Sequence, residues 1–262
     1  MQRYQRHISL NEIGLLGQIK LSKAKVLVVG AGGLGIPALL NLTGAGIGKI
    51  GIVDFDTVSL SNLQRQWLYR ESDIGFNKAE VCVDLLKERN SEIELESFTE
   101  GLHLNNALEI ISHYDIVLDG TDNFRTRYLI NDACVQLNKP FVFGALYKFE
   151  GQVSVFNFKN GPTYRCLFPK PPLKGEVPNC SEAGVLGTLP TIIGTLQANE
   201  VIKIILGLGG NLSAKLLLIN ILNHTHKLVS FSKKEVEINK IKKSKLSYIP
   251  LKDCDLNDER KN

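Results

Sequence analysis

The sequence lacks the features of several classes of protein. No stretch approaches the ~20 consecutive apolar residues that a membrane span requires. The first residues, MQRYQRHISL, contain no apolar segment of the kind that a secretory signal carries. The 23 glycines follow no Gly-X-Y period, which excludes a collagen-like chain. These absences predict a cytoplasmic protein that does not bind membranes.

Cysteine is scarce and widely scattered. An odd number of cysteines without a paired spacing does not predict a disulfide framework. No CxxC pair is present, so the sequence predicts no structural zinc site. Two of these residues fall within predicted helices, and we expect Cys82 and Cys134 to lie in the core. The five cysteines are Cys82, Cys134, Cys166, Cys180 and Cys254.

The charge excess is small and local. The formal net charge is +4, and residues 233–262 hold nine Lys or Arg and six Asp or Glu. The remaining residues hold 22 basic and 21 acidic side chains, so no basic face for nucleic acid is predicted. A hydrophobic content of 44% is ordinary for a globular protein. We predict one folded domain over 1–238, followed by a charged tail over 239–262.

Strands and helices alternate through the first half of the chain. Continuous apolar runs such as KVLVVG are typical of strands buried on both faces, and the alternation with helices indicates a Rossmann-like, doubly wound, mainly parallel sheet. The predicted strands are 25–30, 49–56, 93–100, 115–122 and 140–146, and the predicted helices are 8–22, 34–46, 77–90, 104–113 and 124–137.

The pattern changes after about residue 147. Residues 151–158 alternate apolar and polar side chains, which predicts a half-exposed antiparallel strand. A Pro- and Gly-rich stretch predicts a mobile loop at about 170–187, and an apolar helix is predicted over 188–206. The segments KLLLINIL and KLVSFS predict a hairpin. Antiparallel strands therefore extend the parallel sheet within the same domain.

The segment GAGGLG (30–35) fits the GxGxxG pattern through Gly30, Gly32 and Gly35. It follows a predicted strand and begins a predicted helix, so its backbone can approach phosphates at a helix N-terminus. Asp54 ends the next predicted strand, where a ribose is usually held. A glycine turn used only for packing is the alternative. The motif by itself slightly favours NAD.

Two cations and a carboxylate point instead to a triphosphate. Arg65 lies within SNLQRQ (61–66) and Lys78 follows, and a transferring phosphate needs such positive charges. Asp122 ends a buried parallel strand, where Mg²⁺ would have to bridge it to phosphates. Both cations could instead be ordinary surface residues. Asp122 could instead cap the next helix, a role that Asn123 can also fill.

Taken together, these residues resemble the ThiF/MoeB/HesA family of adenylating enzymes, the bacterial relatives of ubiquitin-activating enzymes. The resemblance covers nearly all of the predicted domain, in order. It is carried by RYQRHI (3–8), GAGGLG (30–35), DFDTVSLSNLQRQ (54–66), Lys78, DGTDN (119–123), YRCLFP (164–169), NCSEAGVLG (179–187) and GTLQANEVIK (194–203).

The resemblance implies a homodimer that uses ATP and Mg²⁺ to adenylate a ubiquitin-like sulfur-carrier protein ending in Gly-Gly. Pyrophosphate would leave during attack by the carrier's carboxylate. Asp54 would hold the ribose, Asp122 would support Mg²⁺, and Arg6 would reach the neighbouring subunit's site. The implied ATP-binding residues are Gly30, Gly32, Gly33, Gly35, Asp54, Asp56, Asn62, Arg65, Gln66, Lys78 and Asp122. The implied catalytic residues are Arg65, Lys78, Asp122, Arg6 and Cys180.

The sequence departs from the family at the zinc-binding thiols that many members carry. Thr163 replaces the first cysteine of one pair, which leaves Cys166, and Cys254 stands alone. Cys180 matches a loop cysteine that forms a covalent bond to the carrier in some members. Three alternatives remain: the carrier for thiamine thiazole rather than the favoured molybdopterin carrier, an NAD(P)-dependent oxidoreductase, and a non-catalytic scaffold.

Overall fold

A computed structural model describes residues 2–172 and 184–248 of the chain. Its eight strands form one sheet in the order β3-β2-β1-β4-β5-β6-β7-β8. The first five strands in this order are parallel and the last three are antiparallel, which confirms the predicted sheet. The strands are β1 Lys25–Val29, β2 Lys49–Val53, β3 Glu94–Phe98, β4 Ile116–Asp119, β5 Phe141–Tyr147, β6 Glu150–Phe156, β7 Lys215–Asn220 and β8 Thr225–Ser230.

Helices pack against both faces of the sheet. Successive side chains of β1 point to opposite faces of the sheet, and both faces are apolar. Val26 and Val28 belong to one apolar core, and Leu27 and Val29 belong to another. The α-helices in the described residues are α1 Gln5–Ile8, α2 Gly14–Lys23, α3 Gly35–Ala45, α4 Lys78–Arg89, α5 Ala107–Ser112, α6 Phe124–Gln136, α7 Tyr164–Leu167, α8 Thr188–Leu206 and α9 Glu235–Lys243.

Helix α8 has the same bounds as the helix predicted from the sequence. Its 19 residues are long and apolar enough to cross a membrane by length and composition alone. Half of the apolar window is buried, with Leu189, Ile193, Ala198 and Val201 fully enclosed. The helix packs against α3 and the sheet, so its apolar character serves the protein core.

Two local predictions are wrong. The helix predicted over 8–22 is divided into α1 and α2, because the chain turns before Gly14, whose φ of +57° favours glycine. Strand β6 is not half-exposed, because neighbouring strands and α8 enclose most of it. Ser154 is fully buried there and donates a 2.9 Å hydrogen bond to the Lys215 carbonyl.

Several side chains bind the C-terminal part of the described chain to the domain. Helix α9 buries Ile238 and Ile241 against Val135 and Cys166. Beyond it, the Tyr248 ring lies 3.7 Å from the Arg125 guanidinium carbon. Packing against the domain therefore continues past residue 238, through Ile241 to Tyr248.

The candidate site lies where the strand order changes direction. Strands β1 and β4 are neighbours, so the turns after them meet at the carboxyl edge of the sheet. A Cβ atom on Gly30, whose φ is +95°, would lie only 2.7 Å from the Gly120 carbonyl oxygen. The two turns can touch because both residues lack side chains.

Candidate nucleotide site

The glycine loop connects β1 to α3 and exposes backbone amides. Within the described part of the chain, the amides of Gly32, Gly33 and Leu34 have no hydrogen-bond acceptor. A Cβ on Gly35 would collide with the Gly30 carbonyl oxygen, so glycine is required for the tight turn into the helix. Free amides at the start of an 11-residue helix form a suitable site for an anion.

Two buried side chains hold this loop at Ala31. The Ala31 amide donates a 2.7 Å hydrogen bond to Asp54 Oδ2, and the Tyr69 hydroxyl donates to the Ala31 carbonyl at 2.8 Å. Asp54 Oδ1 also accepts from the Asp56 amide. Burial raises the pKa of Asp54, while the Lys78 charge and the two amides act in the opposite direction. Asp54 thus anchors the loop, and its ribose contact stays a prediction.

Lys78 is a buried cation beside the same anchor. It begins α4, and its side chain is only 7% exposed, so it is not an ordinary surface residue. Its Nζ lies 2.9 Å from Asp56 Oδ2, whereas the Asp56 side chain is 55% exposed. A buried ammonium needs an anionic partner, and a phosphate could share that role with this exposed carboxylate.

The SNLQRQ segment lies over the glycine loop. Arg65 Cδ would be 3.7 Å from a Cβ on Gly33, and Gln66 Nε2 would be 3.6 Å from one on Gly32. The Gln66 side chain is buried, and its Oε1 has no hydrogen-bond donor among the described residues. Among the residues that the structure describes, Arg65 donates only to the Ser61 carbonyl. These two side chains therefore have hydrogen-bonding capacity left for a ligand.

Asn62 has a local structural contact. Its Oδ1 accepts a 3.2 Å hydrogen bond from the Ser59 amide, which fixes the short helical turn at Leu60–Asn62. This contact holds the backbone from which Arg65 and Gln66 project. Direct contact between Asn62 and a nucleotide stays a prediction.

Asp122 is exposed at the end of the β4 turn. The following helix is capped by Asn123, whose Oδ1 accepts from the Thr126 amide at 2.8 Å, so Asp122 does not serve as the cap. Within the described part of the chain its carboxylate has no hydrogen bond or ion pair. Carboxylate oxygens are the ligands that Mg²⁺ prefers, so this side chain fits a metal bound with phosphates.

Arg6 lies away from the glycine loop of its own chain. It is exposed on α1, and the neighbouring Tyr4 packs against Gly46 at the C-terminal end of α3. The loop is at the other end of that helix, which is about 16 Å long at 1.5 Å per residue. A contact between Arg6 and a second subunit's site stays a prediction.

Cysteine positions separate into two groups. Cys180 and Cys254 lie outside the described residues. Cys82 and Cys134 are fully buried, as predicted. The Cys166 sulfur accepts from the Lys234 amide at 3.2 Å, so α7 and the start of α9 are joined directly.

Sequence reasoning missed a buried group beneath Asp122. Asp119 is fully buried at the end of β4 and pairs with Arg127 at 3.0 Å. Gln197, which belongs to GTLQANEVIK, donates to the Asp119 carbonyl at 2.7 Å. The sequence contains one indication of this group, because an acidic residue ends the otherwise apolar strand IVLD.

The family comparison matches residues 4–240 to the ThiF family, and the chain belongs to it. A relative from Culex quinquefasciatus, "Adenylyltransferase and sulfurtransferase MOCS3", is 56% identical over 82% of this chain. The chain spans about half the length of that relative, 49%. The "Sulfur carrier protein adenylyltransferase" of Thermus thermophilus is 50% identical over 83% of this chain and 82% of its own length.

A third relative is the "Probable molybdopterin-synthase adenylyltransferase" of Porphyra purpurea. It is 47% identical over 90% of this chain and 64% of its own length. Among solved structures, E. coli MccB with AMPCPP and MccA matches with a TM-score of 0.75 at 26% identity. That match covers 89% of this chain and 72% of MccB.

Proposed function

We propose that this protein catalyses ATP-dependent adenylation of the C-terminal glycine of a ubiquitin-like sulfur-carrier protein, with release of pyrophosphate. One observation carries the proposal. In the described part of the chain, amides of the glycine loop without an acceptor, the buried Lys78, the partly engaged Arg65 and an Asp122 carboxylate without a partner occur together at the switch point of the sheet. Relatives named as adenylyltransferases support the same reaction.

The residues present fit ATP as a substrate. The glycine loop leaves space beside Gly32 that a side chain would fill, and its amides can donate to phosphate oxygens. The buried Gln66 Oε1 needs a donor, which a nucleotide hydroxyl can supply. MccB, crystallised with the ATP analogue AMPCPP, supports the same substrate class.

The site can promote the reaction by supplying positive charge. A carrier carboxylate and a phosphate repel each other, and Arg65 and Lys78 offset that repulsion by bringing positive charge to the loop. Asp122 would hold Mg²⁺, which neutralises phosphate charge when it is bound. The reaction needs positioning and charge neutralisation, without a protein nucleophile.

A homodimer is part of the proposal. Arg6 projects from α1, far from its own glycine loop, and it can assist adenylation only if a second subunit brings its site close. The nearby exposed Leu10, Leu15 and Leu16 offer apolar surface for such a contact.

The favoured carrier is the small subunit of molybdopterin synthase, because DFDTVSLSNLQRQ resembles that branch and the Porphyra purpurea relative is named for that activity. The thiamine thiazole carrier is the alternative. An NAD(P)-dependent oxidoreductase is the remote alternative. Cations over a glycine loop suit a triphosphate better than a dinucleotide, whose pyrophosphate needs less positive charge.

The test is ATP–pyrophosphate exchange with purified protein and each Gly-Gly carrier in turn. We expect Mg²⁺-dependent exchange, faster with the molybdopterin carrier, and no change in NADH absorbance. Asp122→Ala should reduce exchange by about 100-fold or more because the metal site is lost. The control is Asp84→Ala, an exposed aspartate on α4, which should retain wild-type exchange. Absence of exchange with either carrier would overturn the proposal.

A further inference from the structure

Five side chains, from β4, the turn after it, α6, α7 and α8, meet beside Asp122. We call them the Asp119 hub: they are Asp119, Thr121, Arg127, Tyr164 and Gln197. Asp119 Oδ1 accepts from the Thr121 amide at 3.0 Å and from its hydroxyl at 2.6 Å. Asp119 Oδ2 accepts from Arg127 Nε at 3.0 Å. The carboxylate's partners among the described residues therefore lie in this turn or in α6.

Arg127 connects the hub to two strands. Its Nη2 donates to the Thr121 carbonyl at 2.8 Å and to the Gly144 carbonyl at 3.2 Å, so one guanidinium connects the turn after β4 to the middle of β5. Burial lowers the pKa of Arg127, but Asp119 and Tyr164 together raise it, and the net shift of this pKa is upward. The cation therefore stays charged and rigidly engaged, which a flexible lysine would not reproduce.

Two further sequence motifs also contribute side chains to the hub. Tyr164 of YRCLFP is buried beside Arg127; burial raises the pKa of its hydroxyl and the Arg127 charge opposes that shift. Gln197 of GTLQANEVIK donates to the Asp119 carbonyl and to the Val142 carbonyl. Gln197 thus bonds directly to the end of β4, whereas Tyr164 acts on the hub through Arg127.

The hub controls a short piece of backbone. Gly120 touches Gly30 of the glycine loop, Thr121 is held by Asp119 and Arg127, and Asp122 comes next. The Asp122 carboxylate has no partner of its own among the described residues. Its position therefore depends on the position of the backbone at residues 120–122.

We propose that Arg127 is a positioning residue for Asp122, acting through its bonds to Asp119 and to the Thr121 carbonyl. This inference rests on the proposed function, in which Asp122 meets Mg²⁺ bound with ATP. Arg127 is buried under the turn and does not face the ligand. Its effect is to keep the Asp122 carboxylate beside the glycine loop. Hydrogen-bonded residues that do not touch a metal generally orient its ligands in this way.

The test uses the whole 262-residue chain with ATP in the absence of a carrier, so that no turnover occurs. Calorimetry gives the ATP dissociation constant with and without Mg²⁺, and the ratio reports the coupling between metal and nucleotide. Arg127→Lys retains the charge but loses the planar fork. We expect it to reduce the Mg²⁺ enhancement by about 10-fold or more, with ATP binding in the absence of metal nearly unchanged.

Arg165→Lys is the matched control. Arg165 lies on α7 and forms a bidentate ion pair with Asp132, which belongs to the same helix as Arg127. Its Nε and Nη2 each donate to one Asp132 carboxylate oxygen at 2.7 Å, and the Arg165 side chain is also largely buried. This variant should lower the melting temperature as Arg127→Lys does, yet it should retain the wild-type Mg²⁺ enhancement. A purely structural role for Arg127 predicts that the two variants behave alike.

Hydrogen–deuterium exchange tests the same role in the absence of ATP and Mg²⁺, through the exchange rate of a backbone amide. The Thr121 amide should exchange faster in Arg127→Lys, because its acceptor Asp119 is no longer held. If Arg127→Lys does not fold, Thr121→Val removes the 2.6 Å hydroxyl bond and should give a smaller loss of Mg²⁺ enhancement in the same direction.

Asp122→Ala separates failure of this inference from failure of the proposed function. If Asp122→Ala lowers the Mg²⁺ enhancement and the hub variants do not, the positioning role is overturned and the metal role of Asp122 stands. If Asp122→Ala does not change the Mg²⁺ enhancement, the metal role of Asp122 and the positioning role of Arg127 both fail, whereas adenylation itself is still decided by pyrophosphate exchange. In the double variant, Arg127→Lys should add nothing to Asp122→Ala, since it acts through that carboxylate.

Discussion

Replacement of Gly32 by alanine tests the glycine loop most directly. A Cβ at this position would meet nothing closer than Gln66 Nε2 at 3.6 Å, an ordinary van der Waals contact. The φ of Gly32 lies outside the left-handed region, so alanine adds no backbone strain. The folded protein should therefore be as stable as wild type, or more stable by ~0.4–1 kcal/mol through the restricted unfolded chain.

Binding of ATP should nevertheless fall sharply. The added methyl group occupies space that a phosphate needs in order to reach the loop amides. Each charge-assisted hydrogen bond that is lost costs about 1.5–3 kcal/mol, which corresponds to a dissociation constant about 10-fold to 100-fold higher. Calorimetric titration with ATP and Mg²⁺ measures this change, and thermal unfolding measures stability on the same sample.

Two other glycines complete the experiment. Gly44→Ala lies on the exposed side of α3 with nothing within 4 Å, so it should leave ATP binding unchanged. Gly30→Ala places a methyl group 2.7 Å from the Gly120 carbonyl at a φ of +95° and should destabilise the fold itself. ATP binding by Gly32→Ala with wild-type affinity would refute a phosphate role for the loop.

Three further predictions address the dimer, the thiols and the charge network. Inactive Arg6→Ala and Arg65→Ala subunits should regain part of their exchange activity when mixed; a mixture as inactive as its components, with subunit exchange verified, would exclude a cross-subunit role. Burial raises the pKa of Cys82 to about 12, so mass mapping after iodoacetamide treatment at pH 8 should find this thiol unmodified until the protein is denatured, and labelling of the native protein would contradict its burial. A hydrogen bond from Lys49 lowers the pKa of Glu96 below its usual 4.5, so its carboxylate stabilises the fold above that pH and this contribution is lost as the pH falls through the lowered value. Glu96→Gln should therefore lower the melting temperature at pH 7 but not at pH 3, and an equal effect at both values would rule out the ion pair as the cause.

The sequence was sufficient for the features that depend on neighbouring residues in the chain. The apolar run of β1 predicts a strand buried on both faces, and the spacing in 188–206 gives the bounds of α8. The glycines of GAGGLG predict a tight turn, and the turn requires glycine at Gly30 and Gly35 because a Cβ at either position would collide with backbone. Cys82 and Cys134 are buried because they lie on the apolar side of their helices.

Other features depend on what the fold places against a residue. Ser154 and β6 were predicted to be half-exposed because a sequence pattern cannot show that α8 and two strands will enclose them. The sequence alone allows Lys78 to be a surface cation. Only the fold shows that α4 buries it beside Asp56 and Asp54.

The Asp119 hub shows the difference most clearly. Asp119 and Gln197 are 78 residues apart, and nothing in either local sequence indicates that one carbonyl and one amide will meet. Local periodicity records which side of an element is apolar. Only the packing of separate elements decides which buried polar groups become partners, because each must find its hydrogen bonds inside the finished fold.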